Sequence, residues 1–197
     1  MKLGFNPTPS DPCIFVNGKG MIIGTWVDDL AIAGRNLDHI KKFKEDLGKI
    51  FKIKDLGEIK KILGIKITRN RSDRTLFLNQ SSYIEKMVSE LKMEQDSHKA
   101  QKQPITGYDA LVPASEMDER TDLRVYQQFI GSITYAMTTI RPDIAFAVNK
   151  LAQYMSDPAN YHQSAVKHIV RYLRSTKDMN LRYRPENPNL IGYLDAD

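Results

Sequence analysis

Two adjacent carboxylates interrupt an apolar stretch near the start of the sequence. Asp28 and Asp29 follow the apolar run 21–27 and precede the apolar run 30–33. A two-residue hairpin turn favours Asn-Gly or Gly, because its backbone needs positive φ, so two like charges are an unusual choice for turn formation alone. A divalent cation would offset the repulsion, because Mg²⁺ prefers oxygen ligands. Paired carboxylates that hold two metal ions about 4 Å apart are central to polymerase chemistry.

Each candidate site also has a structural interpretation. For Asp28 and Asp29 the alternative is a solvated turn. Lys167, Arg171 and Arg174 recur at helical spacing and form one face. That face predicts contact with nucleic-acid phosphates or, alternatively, a solvated helix surface. The residues alone leave both pairs of alternatives open.

Composition narrows the class of protein. The chain has 197 residues and a net charge of +5, which fits a phosphate-bearing partner without requiring one. Cys13 is the single cysteine, so neither a disulfide framework nor a cysteine metal site forms within the chain, and an intracellular compartment is expected. The sequence has no apolar signal core and no apolar run of the roughly 20 residues needed to span a bilayer. His162 and His168 are six residues apart and predict no zinc pair.

Strands and one helix must position the carboxylates. Residues 13–16 and 21–27 predict two strands joined by the turn residues 17–20. The second strand is expected to break at the two carboxylates and to resume at 30–34. Asn36 is the expected N-cap of a helix that continues to Ile50.

The rest of the chain predicts one more hairpin and then mainly helices. Residues 62–68 and 75–78 predict the hairpin, and Ser82 and Glu85 predict a capping box at the start of the following helix. Residues 94–120 are polar and predict a linker. Three helical patterns follow, and a strand-like run ends the chain. The predicted fold class is therefore α+β.

Several runs, in order over nearly the whole chain, resemble the copia-type retrotransposon reverse transcriptases. Trp26-Val27-Asp28-Asp29 resembles the family's Tyr-x-Asp-Asp box, with Trp in place of Tyr. The other resembling runs are Asp11-Pro12-Cys13-Ile14-Phe15, Lys54-Asp55-Leu56-Gly57-Glu58, Ile62-Leu63-Gly64-Ile65, Leu78-Asn79-Gln80-Ser81-Ser82-Tyr83-Ile84, Ile130-Gly131-Ser132-Ile133-Thr134-Tyr135-Ala136, Thr139-Ile140-Arg141-Pro142-Asp143-Ile144-Ala145, and Arg171-Tyr172-Leu173-Arg174-Ser175-Thr176 together with His162.

The resemblance implies a partial polymerase palm, an antiparallel sheet with helices, followed by a helical thumb and connection region. It assigns 1–79 to the C-terminal part of the palm with a primer-grip-like hairpin, and 80–93 to the start of the thumb helix. A polar linker, 94–120, then leads into the helical thumb and connection, 121–180. Residues 181–197 would begin an RNase H-like domain.

The resemblance also assigns site residues. Asp28 matches the family's direct metal ligand, Asp29 its less directly bound neighbour, and Asp195 the first metal ligand of the RNase H domain. Trp26, Leu63 and Gly64 would contact nucleic acid. Gly64 would allow close backbone approach to the primer, with a β-bulge as the structural alternative. The Lys167, Arg171 and Arg174 face would contact template–primer phosphates.

The implied activity is RNA-directed DNA synthesis with Mg²⁺ or Mn²⁺, an RNA template, a DNA primer and deoxynucleoside triphosphates. The family's other palm carboxylate lies on a strand upstream of the part matching Met1, so we expect no polymerisation by these residues alone. A catalytically dead nucleic-acid-binding module and an unrelated structural α+β domain are the alternatives. Other Pol segments are expected partners, a membrane is not, and the cytoplasm, virus-like particles or the nucleus are the expected locations.

Overall fold

The protein combines antiparallel sheets with helices. The computed structural model describes residues 3–94 and 101–185. These residues form two four-stranded sheets, and in each the strands lie side by side in chain order. The first sheet contains β1 (Asn6–Pro7), β2 (Ile14–Val16), β3 (Met21–Trp26) and β4 (Asp29–Gly34). The second contains β5 (Lys61–Ile62), β6 (Ile65–Asn70), β7 (Thr75–Asn79) and β8 (Leu181–Tyr183). The helices are α1 (Leu37–Gly48), α2 (Ser81–Glu90), α3 (Leu123–Thr139), α4 (Ala145–Ala152) and α5 (Asn160–Ser175). This architecture fits the predicted α+β class.

The chain divides into two compact units, Met1–Ile59 and Lys60–Asp197. The boundary lies inside the segment 1–79 that was assigned to the palm. The β5–β6–β7 hairpins therefore belong to the same unit as α2–α5, while the Asp28-Asp29 hairpin belongs to the other.

In the first unit, α1 packs on one face of the first sheet. Met21 and Ile23 are buried there with Phe5, whose ring lies 5.0 Å from that of Phe43 on α1. The predicted N-cap is confirmed, because Oδ1 of Asn36 accepts the backbone N–H groups of the second and third helical residues at 2.8 and 3.2 Å. This single apolar face fixes which side of the hairpin remains open.

The turn between β3 and β4 is one residue earlier than predicted. Trp26 pairs with Asp29, so Val27 and Asp28 form the turn and Asp29 begins β4. The register places Gly34 opposite Met21, where an added Cβ would lie 2.9 Å from the Met21 side chain. Packing of the buried face thus sets the register, and the turn must accommodate it.

In the second unit, α2–α5 enclose the larger core. Its most buried members include Tyr126, Ile133, Leu151, Ile169 and Leu173. The predicted hairpin between 62–68 and 75–78 is present as β6–β7. β8 pairs with β7, so residues 181–183, predicted to begin another domain, extend this sheet.

The predicted capping box at α2 is wrong. The helix begins at Ser81, whose backbone N–H donates to Oδ1 of Asn79 at 2.8 Å. The Glu85 carboxylate instead accepts a hydrogen bond from Lys177 at 2.5 Å. Because Asn79 at the end of β7 supplies the acceptor, the helix starts earlier and Glu85 is free for a distant partner.

Within the predicted linker, 94–120, residues 101–120 contact the helices. Leu111 is buried, and its carbonyl accepts the Tyr154 hydroxyl at 2.5 Å. Arg120 binds both carboxylate oxygens of Asp157, and its backbone forms a bridge with Ala159. Among residues 3–94 and 101–185, no helix is long and apolar enough to cross a membrane.

Candidate functional site

The Asp28-Asp29 hairpin presents two uncommitted carboxylates. Both side chains are exposed, and neither has a hydrogen-bond or ion-pair partner within the described residues. Asp29 lies across from Trp26, which is 61% exposed. Side chains alternate along a strand, so this pair lies on the opposite face from the buried Met21 and Ile23. The two acidic groups and the exposed indole therefore share one open end of the sheet.

Val27 occupies the first turn position in an unfavourable backbone conformation. Its φ is +50°, and its side chain is 91% exposed. The left-handed region is rare for β-branched residues and costs on the order of 1–3 kcal/mol. Strain of this kind concentrates at functional sites, and here it lies directly beside Asp28. Sequence reasoning missed it, although valine is absent from the residues that such turns favour.

The donor set fits part of a Mg²⁺ or Mn²⁺ site. Both ions accept carboxylate oxygens, and the two adjacent groups are solvent-accessible. Among the residues that the structure describes, no cluster of three potential metal-ligating side chains forms. Asp195 lies outside the described residues. Asp28 and Asp29 can thus supply ligands from one turn, with room for further ligands from elsewhere.

The open edge of the first sheet lies next to this turn. β4 is the last strand of the sheet among the described residues. An edge strand exposes backbone groups that are able to pair with another strand. Leu30, in β4, is 44% exposed. A segment pairing here would place its own side chains beside Asp29.

The Leu63-Gly64 pair forms a second tight turn. Ile62 pairs with Ile65, and the two turn residues have φ values of +50° and +74°. The β-bulge alternative is therefore wrong, because Gly64 supplies positive φ in a two-residue turn. A Cβ on Gly64 would meet no atom within 4 Å, so no other described residue covers the turn backbone at this position.

The three residues of the predicted basic face on α5 differ in their exposure to solvent. Lys167 and Arg171 are half-buried, whereas Arg174 is exposed. The Arg174 guanidinium donates to the Met93 carbonyl at 3.2 Å, just beyond α2. Arg174 therefore helps join α5 to the end of α2, whatever else it contacts.

A partly buried network joins the run 139–145 to the run 171–176. The Arg141 guanidinium donates to both oxygens of Asp143 at 2.9 and 2.7 Å and to the Thr176 hydroxyl at 2.8 Å. The Tyr172 hydroxyl donates to Asp143 at 2.8 Å. Burial alone would raise the pKa of Asp143, but these hydrogen bonds outweigh it and hold the pKa below its usual range. These hydrogen bonds hold the end of α5 against the segment before α4, which gives both runs a structural role.

His162 is a buried structural histidine. Its Nδ1 accepts the Ala159 N–H at 3.0 Å, and its Nε2 lies 3.0 Å from the Val112 carbonyl, which assigns the proton to Nε2. Its ring stacks on Tyr154 at 4.0 Å. Burial lowers the pKa of the imidazole and outweighs the hydrogen bond to Val112 that raises it. The neutral form is the one that fits this site.

Known proteins share the sequence pattern of this chain. Residues 1–106 match the family model described as reverse transcriptase (RNA-dependent DNA polymerase). The retrovirus-related Pol polyprotein from transposon TNT 1-94 of Nicotiana tabacum is 38% identical, over 96% of this chain and 15% of that protein. The corresponding polyprotein from transposon RE1 of Arabidopsis thaliana is 31% identical, over 100% of this chain and 13% of its own length.

A shorter protein is also similar to most of this chain. The putative transposon Ty5-1 protein of Saccharomyces cerevisiae is 30% identical, over 88% of this chain and 56% of that protein. No solved structure matches. The chain spans less than a sixth of the two plant polyproteins and about half of the yeast protein.

Proposed function

Because the chain belongs to the reverse transcriptase family of copia-type retrotransposons, we propose that it supplies the Asp-Asp hairpin of an RNA-directed DNA polymerase. The family match removes the alternative of an unrelated structural domain. The partners would be an RNA template, a DNA primer, deoxynucleoside triphosphates and other segments of the Pol polyprotein. The protein would act inside the cell, in the cytoplasm, in virus-like particles or in the nucleus.

The observation that carries the proposal is the hairpin itself. Asp28 and Asp29 are exposed and have no partner among the described residues, at a turn whose strained Val27 is fixed by packing on the far face. A solvated turn under no other demand favours residues that tolerate positive φ. Carboxylates held at such a turn are available for a divalent cation, with Asp28 as the more direct ligand.

The bound ions, Mg²⁺ or Mn²⁺, would activate the attacking hydroxyl and stabilise the leaving pyrophosphate. The role of the chain is to fix the ligands, because ions that are poorly positioned do not catalyse. Two carboxylates on one turn cannot enclose both ions. We therefore assign the remaining carboxylate to a strand that pairs with the open edge of β4, beside Asp29.

Nucleic acid would be bound by three features. Trp26 is exposed beside the carboxylates and presents an indole to the primer end or to the nucleotide. The Leu63-Gly64 turn offers an open backbone to the primer. Lys167, Arg171 and Arg174 would contribute to contact with phosphates, consistent with the net charge of +5. These contacts carry no base-sequence information.

Metal titration tests the hairpin. Calorimetric titration with Mn²⁺ is expected to show weak binding, which Asp28→Asn reduces more than Asp29→Asn does. Asp38→Asn is the matched control, because Asp38 is an exposed acid in the same unit, at the first turn of α1. Equal and negligible effects of the two hairpin changes would count against the site.

A nucleic-acid-binding module without catalysis is the second candidate. The net charge of +5 and the Lys167, Arg171 and Arg174 face would serve such a module as well as a polymerase. Metal titration separates the two candidates, because a binding module has no need for Asp28-dependent Mn²⁺ binding. Loss of Mn²⁺ binding in Asp28→Asn, with unchanged affinity for an RNA–DNA hybrid, supports the polymerase role.

A further inference from the structure

One tyrosine holds the Leu63-Gly64 turn from a distant helix. The Tyr135 hydroxyl on α3 donates to the Leu63 carbonyl oxygen at 2.5 Å, across 72 positions of sequence. Leu63 is the first turn residue and has a φ of +50°. Leucine avoids this region by roughly 1–2 kcal/mol, so the turn gains from an external hydrogen bond that fixes it.

Tyr135 is itself fixed in place. Its ring makes an edge contact with Tyr83 on α2, with centroids 4.9 Å apart. The Tyr83 hydroxyl donates to the Ser132 carbonyl at 2.9 Å, one helical turn before Tyr135. Burial raises the pKa of the Tyr83 phenol, which keeps it protonated as a donor. The hydroxyl that reaches the turn therefore projects from a braced position.

The turn and the two tyrosines line one open groove with two lysines. Lys61 and Lys86 lie on this groove, and none of the described residues that line it is acidic. Lys61 has no ion-pair partner among the described residues, and Lys86 is 3.4 Å from Glu90 in an exposed pair. Exposed pairs of this kind contribute little, so both ammonium groups are available to an anion.

We propose that Tyr135 is a positioning residue, which holds the Leu63-Gly64 turn in the shape that presents its backbone to a nucleic-acid strand. The strand's phosphodiester backbone would lie in the groove beside Lys61 and Lys86. Tyr135 acts through the Leu63 carbonyl, to which its hydroxyl is already donated. This inference rests on the proposed function, because it assumes that the turn binds nucleic acid.

A suppressor experiment separates positioning from simple support of the fold. Asn-Gly is the pair that such turns favour, so Leu63→Asn should hold the turn without the Tyr135 hydroxyl. Affinity for a fluorescent RNA–DNA hybrid is measured at low salt by anisotropy for the wild type, Tyr135→Phe, Leu63→Asn and the double variant. Leu63→Ala, alone and with Tyr135→Phe, is the matched control, because it removes the same side chain but still disfavours positive φ. Tyr183→Phe is a second control, because it removes an exposed tyrosine hydroxyl elsewhere in this unit.

Tyr135→Phe should weaken binding by about five-fold, the size expected for one neutral hydrogen bond. In the Leu63→Asn background the same change should have little effect, whereas in the Leu63→Ala background the loss should remain. Loss that persists in the Asn background, or no loss in Tyr135→Phe, would overturn the inference while leaving the proposed function standing. A wild-type chain that binds no hybrid at low salt would overturn both.

Discussion

Backbone strain in the turn beside Asp28 should lower the stability of the first unit by a measurable amount. Val27 has a φ of +50° and is 91% exposed, so its side chain gains almost nothing from burial. Left-handed backbone costs an L-residue roughly 1–2 kcal/mol, and asparagine tolerates it better than most residues. Val27→Asn should therefore raise the free energy of unfolding of the first unit by about 1 kcal/mol.

The matched control is Val16→Asn. Val16 lies in β2, has no positive φ, and is 37% exposed. The same change there should lower stability, because asparagine is unfavourable in strands. Urea unfolding gives the overall change, and hydrogen exchange of the β3–β4 amides assigns it to this unit. A Val27→Asn variant that loses stability as Val16→Asn does would refute the argument that the turn is strained.

Three further results are expected. Because burial lowers the pKa of His162 in the folded protein, protonation favours unfolding, and stability should fall as the pH drops below about 6.5, the pKa of an unfolded histidine. Urea unfolding at several pH values should show a shallower fall in His162→Gln, and identical slopes would contradict this. Arg141→Met should cost about 2 kcal/mol, because it removes the charged donor that binds the partly exposed Asp143 carboxylate, and a thermal midpoint equal to that of the wild type would contradict this. Hybrid binding should weaken steeply with salt, and charge reversal at Arg171 and Arg174 should make the slope shallower by about two units of log K per log salt. An unchanged slope would remove this face from the nucleic-acid contact.

Local features of the fold could be predicted from the sequence. Asn36 caps α1 because its side chain reaches backbone groups two and three residues away. The β6–β7 hairpin follows from two apolar runs around a polar turn. In both cases the deciding interactions lie close together in the sequence.

Contacts between distant segments could not be predicted. The β3–β4 turn lies one residue earlier than expected, because Gly34 must lie opposite Met21 on the packed face. The capping box at α2 failed because Glu85 binds Lys177, which lies 92 positions away. The contact between Tyr135 and Leu63 likewise has no signal in either segment alone.

In the candidate site, too, the local feature could be predicted from the sequence and the feature set by distant contacts could not. The Asp-Asp pair stands out in the sequence, and its carboxylates are exposed in the structure. The strain at Val27, which distinguishes this turn from a simple solvated one, depends on the register of the whole hairpin.

The most direct test of the account is nucleotide incorporation. This chain would replace the matching segment of an active copia-type reverse transcriptase, and extension of a DNA primer on an RNA template with Mg²⁺ would be measured. The chain alone is expected to add no nucleotide, and the chimaera is expected to extend the primer and to lose that activity with Asp28→Asn. Extension by the Asp28→Asn chimaera at the unchanged rate would contradict the role assigned to the hairpin, and Asp28-dependent extension by the chain alone would contradict the need for another carboxylate beside β4.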